Sequence, residues 1–460
     1  MRLAAVVAPA LLGACSMAPA YRPPQIAAPQ AYKEVAGWTE ATPLDTAPRT
    51  AWWEAFDDPV LNDLEVRAEK ASPTLAAALA RYDQALAAAR VERADLFPTV
   101  TAGADAGRQR VSGTRFGGDG GPRTYSDFRI GGALDYELDL WGRVRNSVAS
   151  ARADAEASEA DLASARLSLQ AAVADAYARL RGLDAQADLL RQTVDAFGRA
   201  YDLTVRRHDG GIASGIDVNR AMTVLGNARA QISAVAAERA ATEHEIAALV
   251  GELASDFSIA PRVQPLSAPA LPAGTPSHML QRRPDIAAAE RRMAAANARI
   301  GVARAAFFPT LTLGGAAGFE TTHGPLFQTP NSFWGLGPLS MVLTLFDGGR
   351  RNSQVKMSRA EYEELAAGYR DTVLGAFRQT EDAIATNRLL ATQAADQRTA
   401  AEAAARTSAL ALTRYRNGAS DYLEVVTAQT DALDAQRATL ALETQRMRGS
   451  VALVKAIGGP

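Results

Sequence analysis

The sequence predicts an α+β fold dominated by very long helices, carrying four β-strands and built from two internal copies of one unit. Three observations predict it. The composition is helix-favouring, a series of motifs occurs twice in the same order, and period-two alternation is confined to a few short stretches. The chain has 460 residues, 48% hydrophobic, 22% charged and only 6% aromatic. Alanine is its commonest residue, and alanine is the best helix former. The formal charge of -2 excludes the global basic field that nucleic-acid binding uses. No apolar run is long enough for a helical membrane span, whereas a membrane β-barrel stays open because its signal per strand is weaker.

Met1-Arg2, the apolar stretch Leu3 to Leu12 and the small residues Gly13-Ala14 have the order of a secretory signal over residues 1–14. Leu12-Gly13-Ala14-Cys15 resembles the bacterial lipobox, in which the cysteine becomes the mature amino terminus and carries acyl chains. Ser16, a non-acidic residue after that cysteine, is by the same resemblance compatible with export to the outer membrane. Cys15 is the sole cysteine, so an internal disulfide and a thiolate cluster are both excluded. Residues 15–60 are rich in proline and are expected to be extended rather than helical. Within them Trp52-Trp53-Glu54-Ala55-Phe56 concentrates aromatics, as an anchor against another surface or as a local core.

The repeat is the strongest signal. Ala94-Asp95-Leu96-Phe97-Pro98-Thr99 recurs as Ala305-Ala306-Phe307-Phe308-Pro309-Thr310, and Ser72-Pro73-Thr74-Leu75 stands opposite Arg283-Pro284-Asp285-Ile286. Leu138-Asp139-Leu140-Trp141-Gly142-Arg143 matches the run Leu343 to Arg350, and Arg207 to Gly211 matches Arg414 to Gly418. Four matches in one order define a first copy at 61–260 and a second at 281–460, joined by a Pro-rich linker at 261–280.

Each copy reads helix, strand pair, very long helix, tip, helix. The strands are expected near 97–111 and 126–141, then near 308–320 and 334–346, and the tips near 208–216 and 415–421. Proline is absent from 123 to 260 and from 339 to 459. A helix from Arg143 to Arg207, or from Arg350 to Arg416, would be a rod of roughly 95–100 Å at ~1.5 Å per residue. Its alanine-rich surface suits close coiled-coil packing.

The strands alternate. Phe128, Ile130, Leu134, Tyr136, Leu138 and Leu140 interleave with Asp127, Arg129, Asp135, Glu137 and Asp139. Leu311 and Leu313 interleave with Thr310 and Thr312, and Leu339, Met341, Leu343 and Leu345 with Ser340, Val342 and Thr344. A half-buried soluble sheet fits this pattern, and so does the wall of a water-filled barrel. Four strands cannot close, because single-chain membrane barrels begin at ~8 strands and open edges do not sit in lipid. A barrel must therefore be shared between chains; two would give eight strands and three would give twelve, and a conduit favours three or more.

Taken together, the lipobox, Trp52-Trp53-x-x-Phe56-x-Asp58-Pro59, Arg283-Pro284-Asp285-Ile286, the two Phe-Pro-Thr strand starts, Asp139-Leu140-Trp141-Gly142-Arg143 and Phe346-Asp347-Gly348-Gly349-Arg350 resemble the TolC-like outer-membrane factors, in their NodT/OprM lipoprotein branch. The resemblance covers essentially the whole chain. It implies a homotrimer with a 12-stranded transmembrane β-barrel and a trimeric α-barrel, the Pro-rich segments contributing to a belt around the middle. It implies a passive exit duct in the outer membrane, docked to a periplasmic adaptor protein and an inner-membrane RND-type transporter. Arg207, Gly211, Arg414 and Gly418 fall where the family has its adaptor-contact tips. Glu424 and its first-copy counterpart Asp217 fall where the duct narrows, with Tyr422 and Leu423 as an apolar constriction or as coiled-coil packing. Thr427 and Arg220 stand where many members have a second acidic residue, which weakens an acidic ring. A duct for an ABC-type protein exporter would share the fold, and a pore-less coiled-coil lipoprotein is a further alternative.

Nothing marks an enzyme. His208, His244, His278 and His323 are scattered, and no phosphate-binding or dinucleotide-binding glycine pattern is present. Asp135, Glu137 and Asp139 share one strand face and read as a polar lining rather than a catalytic pair. No metal and no cofactor is expected beyond the covalent lipid on Cys15.

Overall fold

The computed structural model describes residues 16–24, 31–34, 51–114, 121–263, 282–328, 332–337 and 339–459. The signal at 1–14, Cys15, His278 and most of the linker 261–280 lie outside the described residues.

Helix α1 spans Pro59–Ala71 and α2 spans Pro73–Ala94. Strands β1 (Thr99–Val111) and β2 (Arg123–Glu137) follow, then α3 (Arg143–Asp209) and α4 (Gly215–Leu249). The second copy runs α5 (Pro284–Ala305), β3 (Thr310–Thr321), β4 (Phe333–Leu336), β5 (Leu339–Val342), α6 (Arg350–Arg416) and α7 (Tyr422–Ile457). The copies match in length as well as order. Helices α2 and α5 have 22 residues each, α3 and α6 have 67 each, and α4 and α7 have 35 and 36. Pro73 and Pro284 open α2 and α5, the position where a missing N–H costs nothing. Among the described residues no helix is long and apolar enough to cross a membrane.

Three expectations need correction. The segment 15–60 is not extended throughout: Trp52–Phe56 is a 3-10 helix, and Asp58 caps α1 by accepting from Val60 N at 2.9 Å, so that α1 starts at Pro59. Strand β2 ends at Glu137 rather than 141, because Leu140 N turns back onto Leu138 O at 2.8 Å. The strand expected at 334–346 is two short pieces, Phe333–Leu336 and Leu339–Val342, and the next sequence position after Gly337 is a proline, which has no N–H to give a ladder.

The sheet is antiparallel, in the order β1-β2-β3-β4, with β5 also on β3. Strands β1 and β2 pair along their whole shared length, from Thr99↔Asp135 to Val111↔Arg123.

The chain divides into two compact units. One comprises residues 1–25, 81–159 and 288–370 and contains the sheet. Its helices bury small and flexible side chains such as Ala155, Met293, Ala296 and Ile300. The other comprises 26–80, 160–287 and 371–460. Its largest core brings Trp52, Trp53, Leu61, Leu64, Tyr177, Leu180, Ile246, Phe257 and Val454 together, so the aromatic run is a local core.

Beside that core lies a buried polar network. Tyr177 donates to Asp58 Oδ2 at 2.7 Å and accepts from Arg181 Nε at 2.9 Å. Asp184 receives Arg181 at 2.8 Å, Arg239 at 2.7 Å and the Arg262 amide at 3.0 Å. Arg239 and Arg181 also donate to the carbonyls of Ile259 and Ala260. The network thus fixes the start of the linker and the cap of α1 to α3. Removing Asp184 leaves two guanidinium groups without their shared carboxylate. The Asp184→Ala variant is expected to lose about 3–5 kcal/mol, read as a lowered denaturant midpoint.

Glu65 contrasts with this network. It is 1% exposed, on the face that carries Leu61, Leu64 and Ala68, and neither carboxylate oxygen has a hydrogen-bond partner among the described residues. Burial, with a smaller contribution from Glu69, raises its pKa from 4.5 to about 9. Between those limits the folded chain holds a proton that the unfolded chain releases, so stability falls as pH rises across that window. Glu65→Leu should therefore stabilise the protein, by a margin that widens from pH 5 to pH 9. Denaturation midpoints of the two proteins across that range test this, and a constant margin would contradict it.

Candidate functional site

The pairing register sorts the side chains of all five strands onto two faces. Val100, Ala102 and Ala104 lie in line with Leu134, Gly132 and Ile130, and these with Gly315, Ala317 and Phe319. Phe333 continues from Phe319, Leu339 from Leu313 and Met341 from Leu311. This face is apolar, and its large side chains Val100, Phe128, Ile130, Leu313, Phe333, Leu339 and Met341 are exposed. From Phe128 to Tyr136 it spans about nine residues, the length that a tilted membrane strand needs. Aromatics gather at one end, where Phe319 meets Phe327 and Phe333 at ring distances of 5.4 and 6.0 Å. Arg108 and Arg110 follow on the same face beyond Ala106, which ends the apolar band.

The opposite face is polar. Thr99, Thr101 and Asp105 stand against Asp135, Ala133 and Arg129, and these against Gly314, Ala316 and Glu320. Arg129 pairs with Glu320 at 2.9 Å and lies over the Trp334 ring at 5.6 Å. Gly131 and Gly318 oppose each other in the middle of this face. A Cβ at Gly318 would come within 2.2 Å of Ile130 O, so glycine is required there. Both outer strands are unpaired on their far side among the described residues: β1 pairs only with β2, and β4 and β5 pair only with β3.

At the root of the sheet the repeated motifs act as locks. Arg143 binds Glu137 through two bonds of 2.7 Å, and Arg145 binds Asp139 at 3.1 Å. Arg351 binds Asp347 at 2.6 Å. Trp141 stacks on Phe308 at 4.6 Å and donates to Pro309 O at 2.8 Å. Glu137 and Asp139 are thereby committed to structural pairs. The segment after Cys15 is held nearby: Ser16 donates to Asn146 in the first turn of α3, Arg304 reaches Met17 O and Asn297 reaches Pro19 O. Gly301 makes room for it, since a Cβ there would lie 2.8 Å from Ala18.

The two helix tips share one construction. Gly211 and Gly418 have φ of +76° and +77°, and the amides five residues beyond Arg207 and Arg414, those of Ile212 and Ala419, close onto the arginine carbonyls at 2.8 and 2.9 Å. This is the Schellman ending that favours glycine. Ser214 and Asp217 then form a capping box for α4, and Asp421 caps α7 through the Glu424 amide.

Side chains here depart from the sequence reading. Arg207, expected at an adaptor-contact tip, is directed toward the other tip. Its guanidinium donates to Tyr415 O and lies 4.5 Å from the Tyr415 ring centroid, clasping one tip to the other. Tyr422 takes the packing alternative: it is 3% exposed, packed edge-on against Tyr415 at 5.3 Å, and burial raises its phenol to about 12. Leu423 is exposed on this chain, as are Ile212 and Ile216. Glu424 is exposed and 3.5 Å from Arg414, and Asp217 lies 4.0 Å from Arg220. The helical register explains why Tyr422 is buried and Leu423 exposed, since neighbouring positions point about 100° apart and only one of them faces the core.

The clasp is testable. A hydrogen bond from a charged donor contributes about 1.5–3 kcal/mol, so Arg207→Ala should speed amide exchange around Tyr415 and Tyr422 by roughly tenfold or more. Unchanged exchange would remove Arg207 from this role.

The outer membrane efflux protein family model matches residues 64–252 and 275–459, one segment per copy. The pyoverdine export outer membrane protein OpmQ of Pseudomonas aeruginosa is 34% identical over 457 residues, covering 98% of this chain and 94% of its own. Outer membrane protein OprJ of the same organism is 32% identical over 453 residues, covering 97% and 93%. The solved structure of the outer-membrane channel OprN superposes with a TM-score of 0.90 at 31% identity, over 97% of this chain and 99% of that one. Matched in both copies by one family model and along nearly its whole length by these relatives, the chain belongs to the outer membrane efflux protein family.

Proposed function

We propose that this chain is the exit duct of a tripartite efflux assembly, working as a homotrimer that conducts small molecules passively across the outer membrane. The observation that carries the reading is the sheet: one continuous apolar face, one polar face and two open edges. In hydrocarbon an open edge leaves backbone groups unsatisfied, each at a cost of several kcal/mol. Counting β4 and β5 as one interrupted strand, three chains supply twelve strands, and pairing β1 of one chain with the β4–β5 edge of the next closes them. The apolar face then meets lipid and the polar face lines water.

The other parts follow from this. Lipid on Cys15 anchors the amino end, consistent with Ser16 being held at the first turn of α3, beside the root of the sheet. The long helices continue the duct into the periplasm. The tips meet a periplasmic adaptor through exposed Ile212 and Ile216, and an RND-type transporter supplies the energy. Leu423 and Glu424 narrow the duct there. Membership of the outer membrane efflux protein family supports a conduit rather than a catalyst.

A crosslinked pull-down from native membranes tests the assembly. The expected result is an adaptor and an RND-type transporter identified by mass, whereas an ABC exporter would redirect the reading to protein secretion. The lipid is tested by the intact mass of the mature chain, which should begin at Cys15 and carry acyl groups, both lost in Cys15→Ala.

The face assignment makes a paired prediction. Leu134→Arg places a guanidinium in lipid at about 2–4 kcal/mol per chain and should sharply reduce the membrane-inserted oligomer. Ala133→Arg, one residue away on the polar face, should insert normally. Equal insertion of the two variants would refute the assignment.

A further inference from the structure

The seam between β2 and β3 joins the two copies of the unit within one chain. Strand β2 pairs with β3 from Phe128↔Thr321 to Glu137↔Thr312, and Leu138 N continues the ladder onto Leu311 O. At the foot of this seam Trp141 stacks on Phe308, and Arg143 and Ala306 line one cavity of about 310 Å³.

The repeat carries both sides of the seam onto the open edges of the sheet. The turn that leads into β3 recurs before β1: Phe308 N closes on Ala305 O at 3.0 Å, and Phe97 N on Ala94 O at 2.9 Å. The exit from β2 recurs after β5, where Gly349 O accepts from Ser353 N as Gly142 O accepts from Asn146 N. Leu138 to Trp141 therefore correspond to Leu343 to Phe346, and Arg143 to Arg350, with Asp347-Gly348 inserted between them. Phe308 corresponds to Phe97, and Ala306 to Asp95. The aromatic counterparts are bare, Phe346 at 89% exposure and Phe97 at 63%.

The charged counterparts are bare as well. Glu137 holds Arg143, but residues 339–346 contain no carboxylate to hold Arg350. Asp347 is taken by Arg351 and by the amides of Gly349 and Arg351. Asp95 acts on Arg143 of its own chain only at a distance, since that guanidinium is bound to Glu137. Arg350 and Asp95 are both exposed, and neither has an ion pair among the described residues.

We propose that one chain joins the next by repeating the β2–β3 seam, with Phe346 against the partner's Phe97 and Arg350 paired with the partner's Asp95. The proposal rests on the duct reading above and adds the contacts that set the register between chains. Transposed to the open edges, the β2–β3 ladder sets Leu343 opposite the partner's Val100 and Val342 opposite the partner's Thr101. The faces agree. Val100 lies on the apolar face and Leu343 extends the alternation of Leu339 and Met341, while Val342 and Thr101 belong to the other face. A shift of one residue would set apolar side chains against polar ones along the whole seam. The aromatic contact adds to simple burial, and the charge pair disfavours other registers.

The experiment is a charge exchange, read as the trimer formed by the full-length protein on native gels in mild detergent. Asp95→Arg and Arg350→Asp should each reduce the trimer roughly tenfold, because like charges then meet at the seam. The double variant should return to within about twofold of the wild type, because the two sites are coupled. Single variants that assemble as the wild type does, or a double variant no better than the single ones, overturn the ion pair. Oxidative crosslinking reads the register. Val342→Cys combined with Thr101→Cys should link neighbouring chains, whereas Val342→Cys combined with Thr99→Cys should not. Val342→Cys alone and Thr101→Cys alone exclude linkage through Cys15. Preferential linkage of Val342→Cys with Thr99→Cys, or no linkage of either pair in an assembled trimer, overturns the proposed seam. A wild type that runs only as a monomer would overturn the duct reading itself, and the seam with it.

Discussion

Every strand in hydrocarbon must satisfy the N–H and C=O groups along both of its edges, because no water is there to do so. On the proposed duct reading, that constraint organises this protein. Each chain makes a sheet that is finished on its faces and unfinished at its edges, with β1 open on one side and β4–β5 open on the other. The faces are already sorted by the pairing register, apolar from Val100 across to Met341 and polar from Thr101 across to Glu320. What one chain lacks is more of the same sheet, which the proposed trimer would supply from a second and third copy. The apolar side chains exposed on a single chain are then lipid contacts rather than a defect.

The rest of the architecture serves to present that sheet. The internal duplication delivers two strand pairs and two 67-residue helices from one repeated unit. The joints where strand becomes helix are where the duplicated motifs concentrate chemistry. Arg143 with Glu137 in the first copy, and Arg351 with Asp347 in the second, are ion pairs at equivalent turns. At the other end of the long helices, matched glycines with positive φ reverse the chain, and Arg207 ties one reversal to the other. The buried network around Asp184 fixes the start of the linker between the copies. Glu65 is the exception, a carboxyl without a hydrogen-bond partner among the described residues in an otherwise apolar face.

Much of this was legible in the sequence. The duplicated motifs, proline-free stretches and Gly-bearing tips placed α3 and α6 within a residue or two of their ends, because helix boundaries are set by local chemistry. Period-two alternation found the strands and their faces for the same reason. The interruption between Leu336 and Leu339 was missed, since the alternation of Leu339 and Met341 continues across it. The tips were the least legible. Tyr422 and Leu423 are adjacent and both apolar, and only packing decides which of them meets Tyr415. Arg207 was visible as part of a repeated motif, but its target, a carbonyl about two hundred residues away, belongs to tertiary structure. The partner of Arg129 likewise needed the register and the side chains, which place it between Asp105 and Glu320 and close it on Glu320.

The central claim is that closure of the barrel requires three chains. Native mass spectrometry of the protein extracted from outer membranes in mild detergent tests it most directly. The account predicts a particle containing three copies of the chain, with monomer appearing only on denaturation. A stable monomer or dimer that still conducts ions in a bilayer would contradict it, because neither could provide twelve strands.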